Sequence, residues 1–262
     1  MKKIINNNLR KKIVDIVTNS GWGHIPSSFS ILEILKVLYF KFLKINSKNA
    51  EDKNRDYFIL SKGHGCVALY TILNKKGLLK ESDLKSFSKV NSILGEHPDA
   101  TKIKFVEASC GSLGHGLSFA VGIAYSLKLQ KKKNKVVVLV GDGECQEGTV
   151  WEAAHVARNK KLDNLIVLVD YNKSGEQLLP LDNLKEKWKS FGWKLFTVDG
   201  HNENHLIKTL KKTNTLRNRP KVIIAKTIKG KGVSFIEGHG PWHHKIPNKD
   251  EYNKIMKELT ND

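Results

Sequence analysis

At 262 residues, with 40% apolar and 27% charged side chains, the chain is long enough for one large α/β domain, and no apolar stretch reaches bilayer length. The opening MKKIINNNLRKK lacks the apolar core of a secretory signal, so a cytoplasmic protein is expected. The formal charge of +19 would admit nucleic acid, but lysine is spread along the chain; an anionic substrate or an acidic partner subunit explains some of it more economically.

In chain order, SILEILKVLYFKFLKI spaces apolar and aromatic residues at helical period and predicts a buried helix. RDYFILSKGHG predicts a short strand, Tyr57 to Leu60, running into a glycine-flanked loop. GCVALYTILNKKG predicts a helix ended by Gly77. GSLGHGLSFAVGIAYSLKLQ predicts a glycine-rich loop feeding a helix of small residues, which other backbone can approach closely, as at a dimer contact. Four short β-branched runs follow: Val136–Val140, Leu165–Val169, Lys194–Val198 and Val222–Ala225. They alternate with helices near Gly148–Asn159, Asp182–Phe191 and Asn202–Thr213. Apolar strands alternating with helices predict a single α/β domain: a parallel sheet covered by helices on both faces. An irregular Gly- and His-rich stretch, Gly230 to His244, precedes a last helix, Lys249 to Leu259. Cys66, Cys110 and Cys145 form no CxxC pair and are read as space-filling residues, not as zinc ligands or a disulfide framework.

The densest chemistry lies at two strand ends. Gly141-Asp142-Gly143 follows the first long strand, and Asp170-Tyr171-Asn172 follows the next. Ligands of open parallel sheets bind beyond the carboxyl ends of the strands. If these strands are neighbours, Asp142 and Asn172 meet at one point. Both offer hard oxygen ligands, and magnesium takes about six oxygens, commonly sharing them with phosphates. The main-chain carbonyl of Ser174 is a third candidate ligand. Gly141 and Gly143 let the main chain close on a diphosphate, and the Gly143 N–H is expected to donate to it. The competing reading makes Asp142 a helix cap, but the paired pattern GDGxxxEG…Asn favours the diphosphate and metal site. No GxGxxG follows a strand and no GxxxxGK[ST] occurs, so neither a dinucleotide fingerprint nor a P-loop is present.

GDGECQEGTVWEAAHVARNKKLDNLIVLVDYN resembles the thiamine-diphosphate motif of transketolases. The resemblance extends over almost the whole chain: SGWGHIPSSFSILEIL, DYFILSKGHGCVALY, LGEHPD, SCGSLGHGLSFAVGIA and TIKGKGVSFIEGHGPWHHKIPN follow in the family's order. It implies the thiamine-diphosphate-binding fold, with thiamine diphosphate and Mg2+ as cofactors. Under it, Asp142, Asn172 and Ser174 hold the metal, and His24 and His97 line the substrate channel. His64 and His243 sit near the diphosphate and the reacting carbon, as catalytic and cofactor-binding residues. Gly111 and Leu113 offer backbone contacts to the aminopyrimidine, and Glu147 resembles a glutamate at the contact between two active sites. Four places depart from the pattern. His244 stands where a glycine is usual, leaving His243 and His244 as alternatives for one role. Ile25-Pro26-Ser27 replaces small glycines, and Lys173-Ser174 replaces apolar residues. His115 stands where a glutamine is often found.

The length matches the diphosphate-binding half of a transketolase. The resemblance therefore implies the N-terminal subunit of a split enzyme that moves a two-carbon ketol unit from a ketose phosphate to an aldose phosphate. The pyrimidine-activating glutamate, the pyrimidine-binding domain and the C-terminal domain are then expected on a partner chain, in an α2β2 assembly. Two alternatives stand: half of another thiamine enzyme, such as a 2-oxo-acid decarboxylase or deoxyxylulose-phosphate synthase-like protein, and a basic binding subunit with a vestigial site.

Overall fold

The computed structural model describes residues 2–46, 48, 52–177, 179–180 and 182–260. Five strands form one parallel sheet: β1 (Tyr57–Leu60), β2 (Val136–Gly141), β3 (Leu165–Tyr171), β4 (Lys194–Asp199) and β5 (Lys221–Lys226), in the order β1-β2-β3-β5-β4. Each long strand exceeds its predicted span by one or two residues, because pairing continues past the last apolar side chain. Side chains alternate across a strand, so β2 feeds two cores at once. Val137 and Leu139 face one side, with helices α1 (Lys2–Ser20), α2 (Ile25–Val37), α3 (Cys66–Lys75), α8 (Glu203–Thr213) and α9 (Lys249–Glu258). Val136, Val138 and Val140 face the other, with α5 (His115–Leu129), α6 (Gly148–Asn159) and α7 (Leu184–Ser190). A short helix, α4 (Glu81–Lys85), follows α3.

Helix ends obey local chemistry. Gly77, at φ +77°, closes α3: its N–H bonds the Asn74 carbonyl, and the next N–H reaches Leu73. The buried helix predicted from Ser30 begins earlier, at Ile25. Pro26 sits in its first turn, where a missing N–H costs nothing, so the Ile25-Pro26-Ser27 departure is a helix start. That helix then widens into a π-helical segment, Leu38–Phe42. The polar opening, read only for a targeting signal, forms α1 and buries Leu9, Ile13, Val14 and Val17. All three cysteines are buried and free. Among the described residues no helix is long and apolar enough to cross a membrane.

Candidate functional site

Register builds the first part of the site. Gly141 pairs with Asp170, so Asp142 and Asn172 emerge side by side at the carboxyl edge of the sheet. The two loops touch through glycine: a Cβ on Gly175 would lie 2.7 Å from the Gly143 Cα, a clash no other residue avoids. Asp142 is buried. Its Oδ1 accepts from the N–H groups of Gly143 (2.8 Å) and Gly175 (3.4 Å), while its Oδ2 has no partner. Burial first, and the Asp170 carboxylate second, push Asp142 up to about 6. The Gly143 N–H, expected to face a phosphate, donates here to the desolvated Asp142 carboxylate, which caps the short 3-10 turn Gly143–Gln146. Asn172 is also buried. It presents Oδ1 to the Ser174 N–H (3.0 Å) and donates Nδ2 to Asp170 Oδ2 (3.0 Å).

Asp170, fully buried, organises this corner although sequence reasoning left it out of the site. It accepts from Ser30, Lys62 and Asn172 on one oxygen and from Thr227 on the other, drawing α2, the β1 loop and the β5 loop together. Lys62 is itself buried and pairs with it. Glu144 is a second missed clamp: its carboxylate accepts from Ser61, from the Gly114 N–H (2.9 Å) and from the Gly141 N–H (3.0 Å). It ties the glycine-rich loop before α5 to the GDG turn. Nothing in the sequence pattern marks these buried charges apart from the many solvated ones.

Above this corner the structure gathers imidazoles. The ring of His24, just before α2, lies 5.3 Å from His64, 5.5 Å from His243 and 4.5 Å from His244, between centroids. His243 and His244 thus both reach the cluster. His97 sits at its edge: Gly63 packs against the Cys110 carbonyl and the His97 ring, and a Cβ on Gly111 would touch that ring. Burial, then neighbouring positive groups, hold His64 well below the ordinary imidazole value; burial brings His24 to about 4 and lowers His243. Lys229, also missed, is buried and bonded to His243. Two residues singled out in the sequence lie outside the imidazole cluster, at the glycine-rich loop before α5, where Glu147 packs against Gly114. His115 opens α5, exposed, with its ring against the Leu113 carbonyl, and Glu147 is the exposed N-cap of α6.

The transketolase, thiamine diphosphate binding domain family matches residues 1–262. The chain belongs to the transketolase family. It is 40% identical over 260 residues to one of the subunits of apulose-4-phosphate transketolase from Actinobacillus succinogenes, covering 97% of this chain and 94% of that one. It is 36% identical over 258 residues to a 6-deoxy-6-sulfo-D-fructose transketolase subunit of Clostridium sp., with the same coverage. Among solved structures, transketolase from Campylobacter jejuni superposes with a TM-score of 0.92 at 30% identity, over 99% of this chain and 43% of that one. The chain therefore spans nearly the whole of the subunit relatives but under half of that full-length transketolase.

The transketolase-family site has the donors its cofactor needs. Asp142 Oδ2 and Ser174 Oγ are buried oxygens without partners, and the Gly143–Gly175 contact leaves the main chain close-set beneath them. Lys62 and Lys229 supply buried positive charge beside the two carboxylates. Among the described residues no three His, Cys, Asp or Glu side chains could hold a metal by themselves. A cation here would need amide, carbonyl and diphosphate oxygens to complete its shell.

Proposed function

We propose that this chain is the thiamine-diphosphate-binding subunit of a two-subunit transketolase, transferring a two-carbon ketol unit from a ketose phosphate to an aldose phosphate. The observation that carries the reading is one conjunction: the unpartnered Asp142 carboxylate oxygen lies in register beside Asn172, at the sheet edge beneath a cluster of four histidines. Asp142 Oδ2, Asn172 Oδ1 and the Ser174 carbonyl hold Mg2+, and Gly141, Gly143 and His64 line the diphosphate. Gly111, Leu113 and Glu147 serve the cofactor's other end. When bound, thiamine diphosphate supplies a nucleophilic carbon for attack on a ketose carbonyl. His24, His64, His97 and His243 orient the sugar's hydroxyls and carbonyl by hydrogen bonds, and the lowered values of His24, His64 and His243 keep those three rings neutral for that work near pH 7.

The domain that carries the pyrimidine-activating glutamate belongs to a partner chain in a cytoplasmic α2β2 assembly. Helix α5 supports this. Its exposed stripe Ser118, Phe119, Gly122 and Ser126 is small apart from Phe119, which is 52% exposed, and space beside Gly122 is open. The two subunit relatives act on differently named sugars, so the family leaves the donor to be measured.

The test is ketol transfer from xylulose 5-phosphate to ribose 5-phosphate with Mg2+ and thiamine diphosphate, run on the chain alone and on the complex it captures from its native extract. Transfer by the complex only is the expected result. Turnover by the chain alone overturns the partner, and a cofactor-binding complex inert with these sugars and with other ketose donors overturns ketol transfer.

A further inference from the structure

The hydrogen bonds around two of the imidazoles decide which nitrogen carries the proton in each. His24 Nδ1 lies 3.1 Å from the main-chain oxygen of His243. A carbonyl only accepts, so Nδ1 of His24 holds the proton and Nε2 keeps a lone pair. His243 Nδ1 lies 2.6 Å from Nζ of Lys229. An ammonium only donates, so Nδ1 of His243 accepts and the ring's proton sits on Nε2. The rings are neighbours, with planes at 87°.

The backbone fixes Lys229 in this role. The Gly230 N–H donates to the Pro26 carbonyl (3.0 Å), beside His24, and the Gly238 N–H donates to the Lys229 carbonyl (2.8 Å). Gly230 has φ +77°, and a Cβ there would lie 2.3 Å from the Ile236 carbonyl oxygen. The loop bearing the lysine is thus pinned both to the start of α2 and to its own return. Lys229 is buried, 6% exposed over the whole residue.

We propose that the chain holds His24 and His243 in opposite tautomers, His24 as an Nε2 acceptor and His243 as an Nε2 donor, and that Lys229 is the positioning residue that sets the second. The use of this arrangement rests on the ketol-transfer reading. A ketose presents a hydroxyl, which can donate, beside a carbonyl, which can only accept. One acceptor and one donor nitrogen from adjacent rings match that pair without either ring changing charge.

The tautomers can be read directly, without turnover. The full chain, labelled with 15N-histidine, is recorded in a two-bond 15N–1H correlation spectrum at pH 7.5, with His24→Gln and His243→Gln assigning the rings. The expected spectrum shows an Nδ1-protonated pattern for His24 and an Nε2-protonated pattern for His243. Lys229→Met moves His243 to a mixture of tautomers and leaves His24 unchanged, while Lys229→Arg, which keeps a donor, keeps the wild-type pattern. An Nδ1-protonated His243 in the wild type overturns the proposal by itself, even if the Met variant fails to fold. A His243 pattern unmoved by Lys229→Met removes the lysine's role. If the tautomers are as stated and the complex does not transfer ketol units, it is the proposed function that falls.

Discussion

Replacing Asp142 by asparagine should stabilise the chain when no cation is present. The side chain is buried, its Oδ2 has no partner, and its acidity is pushed from the ordinary 3.8 to about 6 by burial and by Asp170. The ionised form is thus disfavoured by about 3 kcal/mol at roughly 1.4 kcal/mol per pH unit. A group raised in the folded state carries its full penalty above its folded value. Wild-type stability should therefore fall as pH rises from about 4 to about 6 and then level, through this group. Asparagine keeps the Oδ1 acceptor for Gly143 and Gly175 and places an amide where an oxygen was already unpartnered. After allowance for relaxation, the expected gain is about 1–3 kcal/mol at pH 7.5, or roughly 3–8 °C in Tm. Differential scanning calorimetry in EDTA measures it, and repeating it with Mg2+ and thiamine diphosphate should reverse the order, because only the carboxylate binds the cation well. An asparagine variant no more stable in EDTA at pH 7.5, or equally favoured at pH 4, would refute the argument.

Lys62→Met leaves the fully buried Asp170 without its cation and should cost about 3–5 kcal/mol in urea unfolding, partly restored by adding Asp170→Asn. Gly175→Ala forces a methyl against the Gly143 backbone; cofactor affinity, followed by Mg2+-dependent tryptophan quenching, should drop at least about tenfold, since spreading the two loops by even ~1 Å spoils the oxygen geometry. Phe119→Glu on the exposed face of α5 should leave the stability of the isolated chain within about 0.5 kcal/mol of wild type while abolishing partner capture in size-exclusion chromatography.

The strands and the meeting of Asp142 with Asn172 were legible because their signals are local. The apolar runs stop at Gly141 and Asp170, which pair, and register alone then brings Asp142 to Asn172. What stayed hidden depends on contacts distant in sequence. Nothing near Lys62, Glu144 or Lys229 tells them from solvated charges in a chain with 45 lysines and arginines; only the fold buries them. The insertion of β5 between β3 and β4 is likewise a choice of tertiary packing. The start of α2 was missed because the apolar period that marks this helix was followed only from Ser30, whereas Pro26 suits a first turn. The imidazole-bearing stretch near His243 was read as irregular, and it is: a glycine-punctuated loop ending in one 3-10 turn, Pro241–His244, held by partners the local sequence does not name.

The contact between His24 and His243 spans 219 residues. During synthesis the last strand, ending at Lys226, emerges before the loop that completes the cluster. A sheet can therefore assemble while the imidazoles are still unmatched, and the long-range closure comes late, as contacts of high sequence separation do. A ribosome-bound or truncated chain ending before residue 240 would carry the Asp142–Asn172 corner with only His24 and His64 of the four clustered imidazoles, so the cluster reports that the chain has passed its late loop.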